Sequence, residues 1–207
     1  MIHRLLILLL VLASVVAGQQ PSAKPTYESL LERVKKSDKS VDFQELRMAY
    51  TETKSYSPYG GDRDSRNEMF AAINAKEYAK ALEAATKIIN SNYVDLNGHF
   101  GAFVAHRELG HTEQAIYHRY VFDGLLNSIR NSGDGKSREK AFVVISTDEE
   151  YVLLNYLGLR TTQQALLNDK GHSYDLMTAL DPNTNQSVEY YFNIDKPFNW
   201  LGNSLKK

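Results

Sequence analysis

Two segments of this chain repeat at a fixed spacing, and that repeat restricts the fold more than any other feature. Glu77-Tyr78-Ala79-Lys80-Ala81-Leu82 returns 34 residues later as His111-Thr112-Glu113-Gln114-Ala115-Ile116. Ala81 lands on Ala115, Leu82 on Ile116 and, upstream, Ala71 on Ala105. Alanine at such positions lets two helices approach where a larger side chain would hold them apart. The spacing predicts two antiparallel helix pairs, 65–75 with 77–91 and 96–109 with 112–130, with Asp95 as N-cap of the third helix. So short an array leaves an open end that other parts of the chain must cover.

This pattern resembles the tetratricopeptide repeat. Tyr78, Ala81, Leu82, Ala85 and Ile88 fit its second helix, whereas its usual tryptophan and Leu-Gly pair are missing from the first helices. Arg119 stands where a small or aromatic residue is expected. Upstream, Tyr27, Leu30, Leu31 and Val34 recur at helical spacing, and Phe43, Leu46 and Tyr50 stripe a second helix over 41–54. A loop is expected at 55–65, which holds a proline, two adjacent glycines and two aspartates.

The pattern changes after residue 138. Residues 140–147 (KAFVVIST) read as a buried strand, and Thr147-Asp148-Glu149-Glu150 as a capping box opening a helix that stops at Gly158. Strands are expected at 161–167, 172–180 and 187–194, the last two alternating and separated by the turn DPNTNQ. The tail, with the sole tryptophan, is expected on the surface of that sheet. The predicted fold class is α+β: a short tetratricopeptide-like array of antiparallel helix pairs packed against a small, mostly antiparallel sheet with one helix. The helical region 27–138 and the β region 139–207 are expected to pack as one unit.

Residues 1–18 have the build of a secretory signal: His3 and Arg4, an apolar run from Leu5 to Val16 broken only by Ser14, then Ala17 and Gly18. The run falls short of the roughly 20 residues that span a bilayer, so no stable membrane insertion is expected once the signal is removed. Residues 19–26 form a flexible lead-in. The chain is expected to be periplasmic or secreted. It has no cysteine, which excludes disulfides, thiolate metal sites and a lipid anchor on cysteine. Without Arg4, 23 basic residues face 25 acidic ones, a balance that gives no drive toward nucleic acid.

Candidate chemistry concentrates in 99–137. His99 and His106 are seven apart, as are His111 and His118. A helix hairpin would bring some of them together, yet no His-x-x-x-His or His-Glu-x-x-His signal is present, and no metal or cofactor is expected. Arg119 and Asp123 share a helix face at i, i+4, with Arg107 and Arg130 on the same two helices. Asp134, Lys136 and Ser137 sit among glycines, where backbone N–H groups and a cation could meet a small anion. A P-loop is excluded there, because Arg130 stands where its first glycine belongs. His172 and Asp175 lie on opposite faces of a strand and cannot pair directly. The many tyrosines suit glycan or peptide recognition as well as core packing.

The run YHRYVFDGLLNSIRNSGDGKSREKAFVVIST, followed by EEYVLLNYLGL, GHSYD and YYFNID, resembles a family of exported bacterial proteins described as a domain of unknown function. The resemblance spans about 27–195 and implies a helical half joined to a β half, with no catalytic residue to carry over. The expected function is binding of a protein or peptide on the inner face of the 65–130 helices and the 131–137 loop. The alternative is an envelope hydrolase using His106, His118 or His172 with a nearby carboxylate. A structural subunit would instead expose an apolar patch around Phe198 and Trp200.

Overall fold

The computed structural model describes residues 24–59 and 61–206. The expected signal and most of the lead-in lie outside the described residues. Helix α1 (Tyr27–Lys35) starts at Thr26, whose hydroxyl accepts from the Ser29 N–H, and buries Leu30 and Val34. Asp42 caps α2 (Phe43–Tyr50) through the N–H groups of Gln44 and Glu45. The loop then gives way early to α3 (Arg63–Asn74), because Asp62 accepts from both the N–H and the hydroxyl of Ser65.

The expected hairpins are present: α3 packs against α4 (Tyr78–Ser91), and α5 (Leu96–Glu108) against α6 (Thr112–Arg130). Asp95 caps α5 through the Gly98 N–H, as its spacing predicts. Of the repeated alanines, Ala81, Ala105 and Ala115 are buried but Ala71 is exposed, and its neighbour Ala72 takes the inward place beside Ala81 and Ala105, while Ala84, Ala85 and Ala102 gather around Met69 and Ile88. A Cβ on Gly101 would overlap the Met69 thioether, so glycine is what lets α5 close on α3. The pair α1–α2 does not lengthen this array from its α3 end. Helix α2 packs chiefly against α6, where Phe43 occupies the space left by Gly124.

The sheet is mixed, in the order β1-β4-β3-β2. Strands β2 (Arg160–Asp169), β3 (His172–Asp181) and β4 (Gln186–Asn193) are antiparallel, and β1 (Phe142–Val143) runs parallel to β4. The expected strand at 140–147 is therefore only two residues long. Its apolar side chains are buried as expected, but the Ile145 N–H leaves the ladder to bond the Glu149 carboxylate, which turns the chain into α7 (Thr147–Tyr156). The expected capping box does not form: Ser146 is the N-cap, no side chain bonds there, and Glu150 turns inward. The tail forms α8 (Asp195–Ser204) against β3. Phe198 and Trp200 are partly buried against the core, which removes the apolar patch expected of a structural subunit.

A single hydrophobic cluster joins Leu30, Leu46 and Leu125 of the helices to Leu154, Met177 and Phe192 of the β region. Two ion pairs tie the same boundary. Fully buried Arg47 on α2 donates to Glu149 on α7 through Nε at 2.9 Å and Nη2 at 2.5 Å, and also to Ser128 Oγ and the Val143 carbonyl. Arg66 on α3 grips Asp148 with two bonds of 2.7 and 2.6 Å. In the Arg47–Glu149 pair, bidentate geometry with every side-chain polar atom used is what allows the charges to survive burial, whereas Arg66 leaves its Nε buried without a partner.

Candidate functional site

Helices α3, α5 and α6 turn an aromatic face toward α7, and a groove of about 320 Å³ lies between them. Phe70, Phe100, Phe103 and Phe122 line it with Val152, Asn155 and Tyr156 from α7. The face follows from α5 itself. Its small residues Gly101, Ala102 and Ala105 turn inward, which leaves Phe100 and Phe103, three apart, on the other side. A second hollow of about 290 Å³ shares Phe103 and Arg119 and continues toward Ile116, which is 63% exposed. Together they form an apolar channel with cations along it. The guanidinium groups of Arg107 and Arg119 sit over the Phe103 ring at 5.4 and 5.5 Å, and that of Arg130 over Tyr156 at 5.5 Å.

Of the residues singled out from sequence, Arg107, Arg119 and Arg130 reach this channel. Arg119 pairs with Asp123 at 2.6 Å, as their spacing predicts, but both remain substantially exposed. Asn97 and Asn155 line the groove with no side-chain hydrogen bond among the described residues, leaving amides free for a ligand backbone. The aromatic rings were missed because phenylalanines on a helix read as core. Their three-residue spacing beside a run of small residues was the available signal.

The histidines assemble elsewhere, in a file across the α5–α6 hairpin. His99 is fully buried and its Nε2 lies 2.7 Å from the Tyr93 carbonyl, so that nitrogen carries the proton. Its Nδ1 must then accept from His118 Nδ1, 3.0 Å away. His118 stacks on His106 with centroids 5.4 Å apart, and His106 Nδ1 meets His111 Nδ1 at 3.1 Å. Burial, then the neighbouring imidazole, lowers the His99 pKa to about 3 and that of His118 to about 4. His99 and His118 are therefore neutral at pH 7. No carboxylate bonds it, and no three ligating side chains converge to hold a metal among the described residues.

Asp134, Lys136 and Ser137 lie in a loop that uses its own donors. The N–H groups of Asp134 and Gly135 both bond the Lys140 carbonyl, that of Lys136 bonds the Asp134 carboxylate, and the Gly135 carbonyl accepts from Tyr191 of β4. The loop is thus stitched to the sheet, away from the groove, and those three N–H groups are spent. His172 is separate again. Its Nδ1 lies 2.6 Å from Asp195, which also accepts from the Ser173 N–H and from Asn193. Asp175 is not its partner, in keeping with their opposite faces.

Asp175 instead faces Glu150. Both Glu150 oxygens are buried without a hydrogen bond, and burial followed by the adjacent Asp175 raises its pKa to about 9. Gln164 donates to Asp175 at 2.7 Å and accepts from Tyr151. Glu150 is therefore a neutral acid at pH 7, next to Glu149, which pairs with Arg47. Nothing in the local sequence distinguishes the two.

Fold and groove together describe a helical scaffold, joined to a mixed sheet, that presents an open aromatic surface. By sequence the chain belongs to the family described as domain of unknown function DUF4919, whose model matches residues 18–201. No curated protein and no solved structure matches it.

Proposed function

We propose that this chain is an exported, non-catalytic binding module of the bacterial envelope that holds an extended peptide or protein segment in the α3–α5–α6–α7 groove. The groove carries this reading. Four aromatic rings, Phe70, Phe100, Phe103 and Tyr156, remain at least partly open above the buried Phe122, and such surface gains free energy when a ligand covers it. An apolar anchor would seat among Phe100, Phe103 and Tyr156, a carboxylate would meet Arg119 or Arg130, and Asn97 and Asn155 would bond the ligand backbone. The helix pairs make a tetratricopeptide-like scaffold for this purpose. The charged start and apolar run of residues 1–16 support export.

The test is selection from a random peptide library on the chain from Gln19 onward, followed by fluorescence-polarisation titration of the selected peptides. Binding should fall at least about ten-fold in Phe103→Glu and several-fold in Arg119→Ala. Absence of enriched peptides, or binding indifferent to both substitutions, would remove the reading.

One observation favours the hydrolytic alternative: Asp195 holds the exposed His172 imidazole by Nδ1, and Nε2 has no hydrogen bond among the described residues. No hydroxyl bonds that imidazole, and His172 lines neither hollow of the groove. Its aspartate also anchors the start of α8, a structural task. Loss of any measured hydrolysis in His172→Gln, with unchanged melting, would restore the enzyme reading.

A further inference from the structure

The two edges of the sheet are treated very differently. At one, β1 is only two residues long, which offers little to a foreign strand. At the other, β2 runs for ten residues with one side unpaired. Edge strands are ordinarily blunted by lysine, proline or inward charge. Residues 161–168 (TTQQALLN) contain none of these and carry no charge at all. Most of the strand is exposed, with Leu166 at 53% and nearby Tyr151 at 41%.

The ends of this strand are charged, and with opposite sign. Arg160 stands opposite Leu180 of β3, Ala165 opposite Leu176, and Asp169 opposite His172. Ala165 is thus midway, four β3 positions from each end. Arg160 and Asp169 are nine apart, which in a regular strand would put them on opposite faces. The irregularity between Thr161 and Gln163 inserts one residue and returns both to the same face. Residues directly opposite in an antiparallel pair share a face. A two-fold axis through Ala165, perpendicular to the sheet, therefore sets Arg160 against Asp169 of a second copy, twice.

We propose that β2 is a self-complementary edge at which two copies of this chain pair antiparallel about Ala165, joining two four-stranded sheets into one of eight strands. Alanine on the axis avoids a steric conflict. Leu166 falls across from Gln164 of the second copy and is covered beside Tyr151. Arg160 makes no ion pair among the described residues, and Asp169 makes only an exposed contact with Arg138 at 3.4 Å, so both are available. The interface does not involve the groove and does not depend on the function proposed for it.

Sedimentation analysis of the chain from Gln19 onward, which contains every described residue, tests the pairing. A concentration-dependent dimer is expected. Arg160→Asp and Asp169→Arg should each weaken it at least about five-fold, by setting like charges across the axis at both ends. The double variant R160D/D169R should restore it. The chain has no cysteine, so Ala165→Cys offers an independent readout. Opposed Cα atoms lie about 5 Å apart, within disulfide reach, and mild oxidation should link two copies. Circular-dichroism melting of each variant confirms folding. A monomer at about 100 μM that resists oxidation of the cysteine variant overturns the proposal. So does a dimer indifferent to the charge reversals, or an edge that takes up only a different chain.

Discussion

Helix α7 separates two regions built on opposite principles. On one side Glu149 and Glu150 enter a buried joint with α2 and the sheet, where Glu149 is fully bonded by Arg47 and the Ile145 N–H and Glu150 is buried against Asp175. On the other, Asn155 and Tyr156 face a groove where apolar rings are left open. The joint fixes how the helical and β regions meet. The groove adds little to that and leaves surface available to a ligand. The contrast implies that substitutions in the joint change stability and leave binding alone, while those in the groove do the reverse.

The largest effect should follow Arg47→Met, which leaves Glu149 buried and unpaired. Urea denaturation should show a loss of about 3–5 kcal/mol. Whatever fraction remains folded should bind selected peptides as the parent does. Comparable weakening of binding in that fraction would break the contrast, because the joint would then shape the groove.

Glu150→Gln sharpens it from the same helix. The folded pKa of Glu150, about 9, lies above its unfolded value. The folded state therefore holds a proton that the unfolded state releases, and stability from this group falls as pH rises from about 4.5 to 9. Glutamine should remove that decline and raise stability by about 1–3 kcal/mol at pH 8, read from melting at several pH values. The histidine file has the opposite sign. His99 and His118 have folded pKa values below the unfolded one, so their contribution is present above pH 6.5 and is lost as pH falls toward 3–4. His118→Gln should reduce the acid-side loss by about 1 kcal/mol at pH 5, allowing for its partial exposure.

The smallest stability change belongs to the groove. Phe103→Ser should shift the urea midpoint by no more than about 0.5 kcal/mol, since the ring is not part of the buried core. Its effect on peptide binding should be the largest of the series.

Periodicity made much of the fold legible. The 34-residue repeat placed four helices within one or two residues, Asp95 was readable as a cap, and alternation located β3 and β4. It could not say which apolar face would be covered, and so it did not single out Phe100 and Phe103. Arg47 lies on the stripe of Phe43 and Tyr50, four residues after one and three before the other, but its partner is 102 residues away. The same Glu149 carboxylate takes the Ile145 N–H out of the expected first strand, and the burial of Glu150 against Asp175 removes the acid of the expected capping box. Among the candidate site residues, local spacing found Arg119 with Asp123. The three arginines on the groove, the internally bonded 131–137 loop and the separate His172 could be sorted only in three dimensions.

Hydrogen–deuterium exchange with and without a selected peptide is the most direct test of the groove. Added protection should fall on 97–103, 116–122 and 152–156, with 131–137 and β2 unchanged. Protection confined to the 131–137 loop, the β2 edge or the surroundings of His172 would contradict it and move the binding site to that surface.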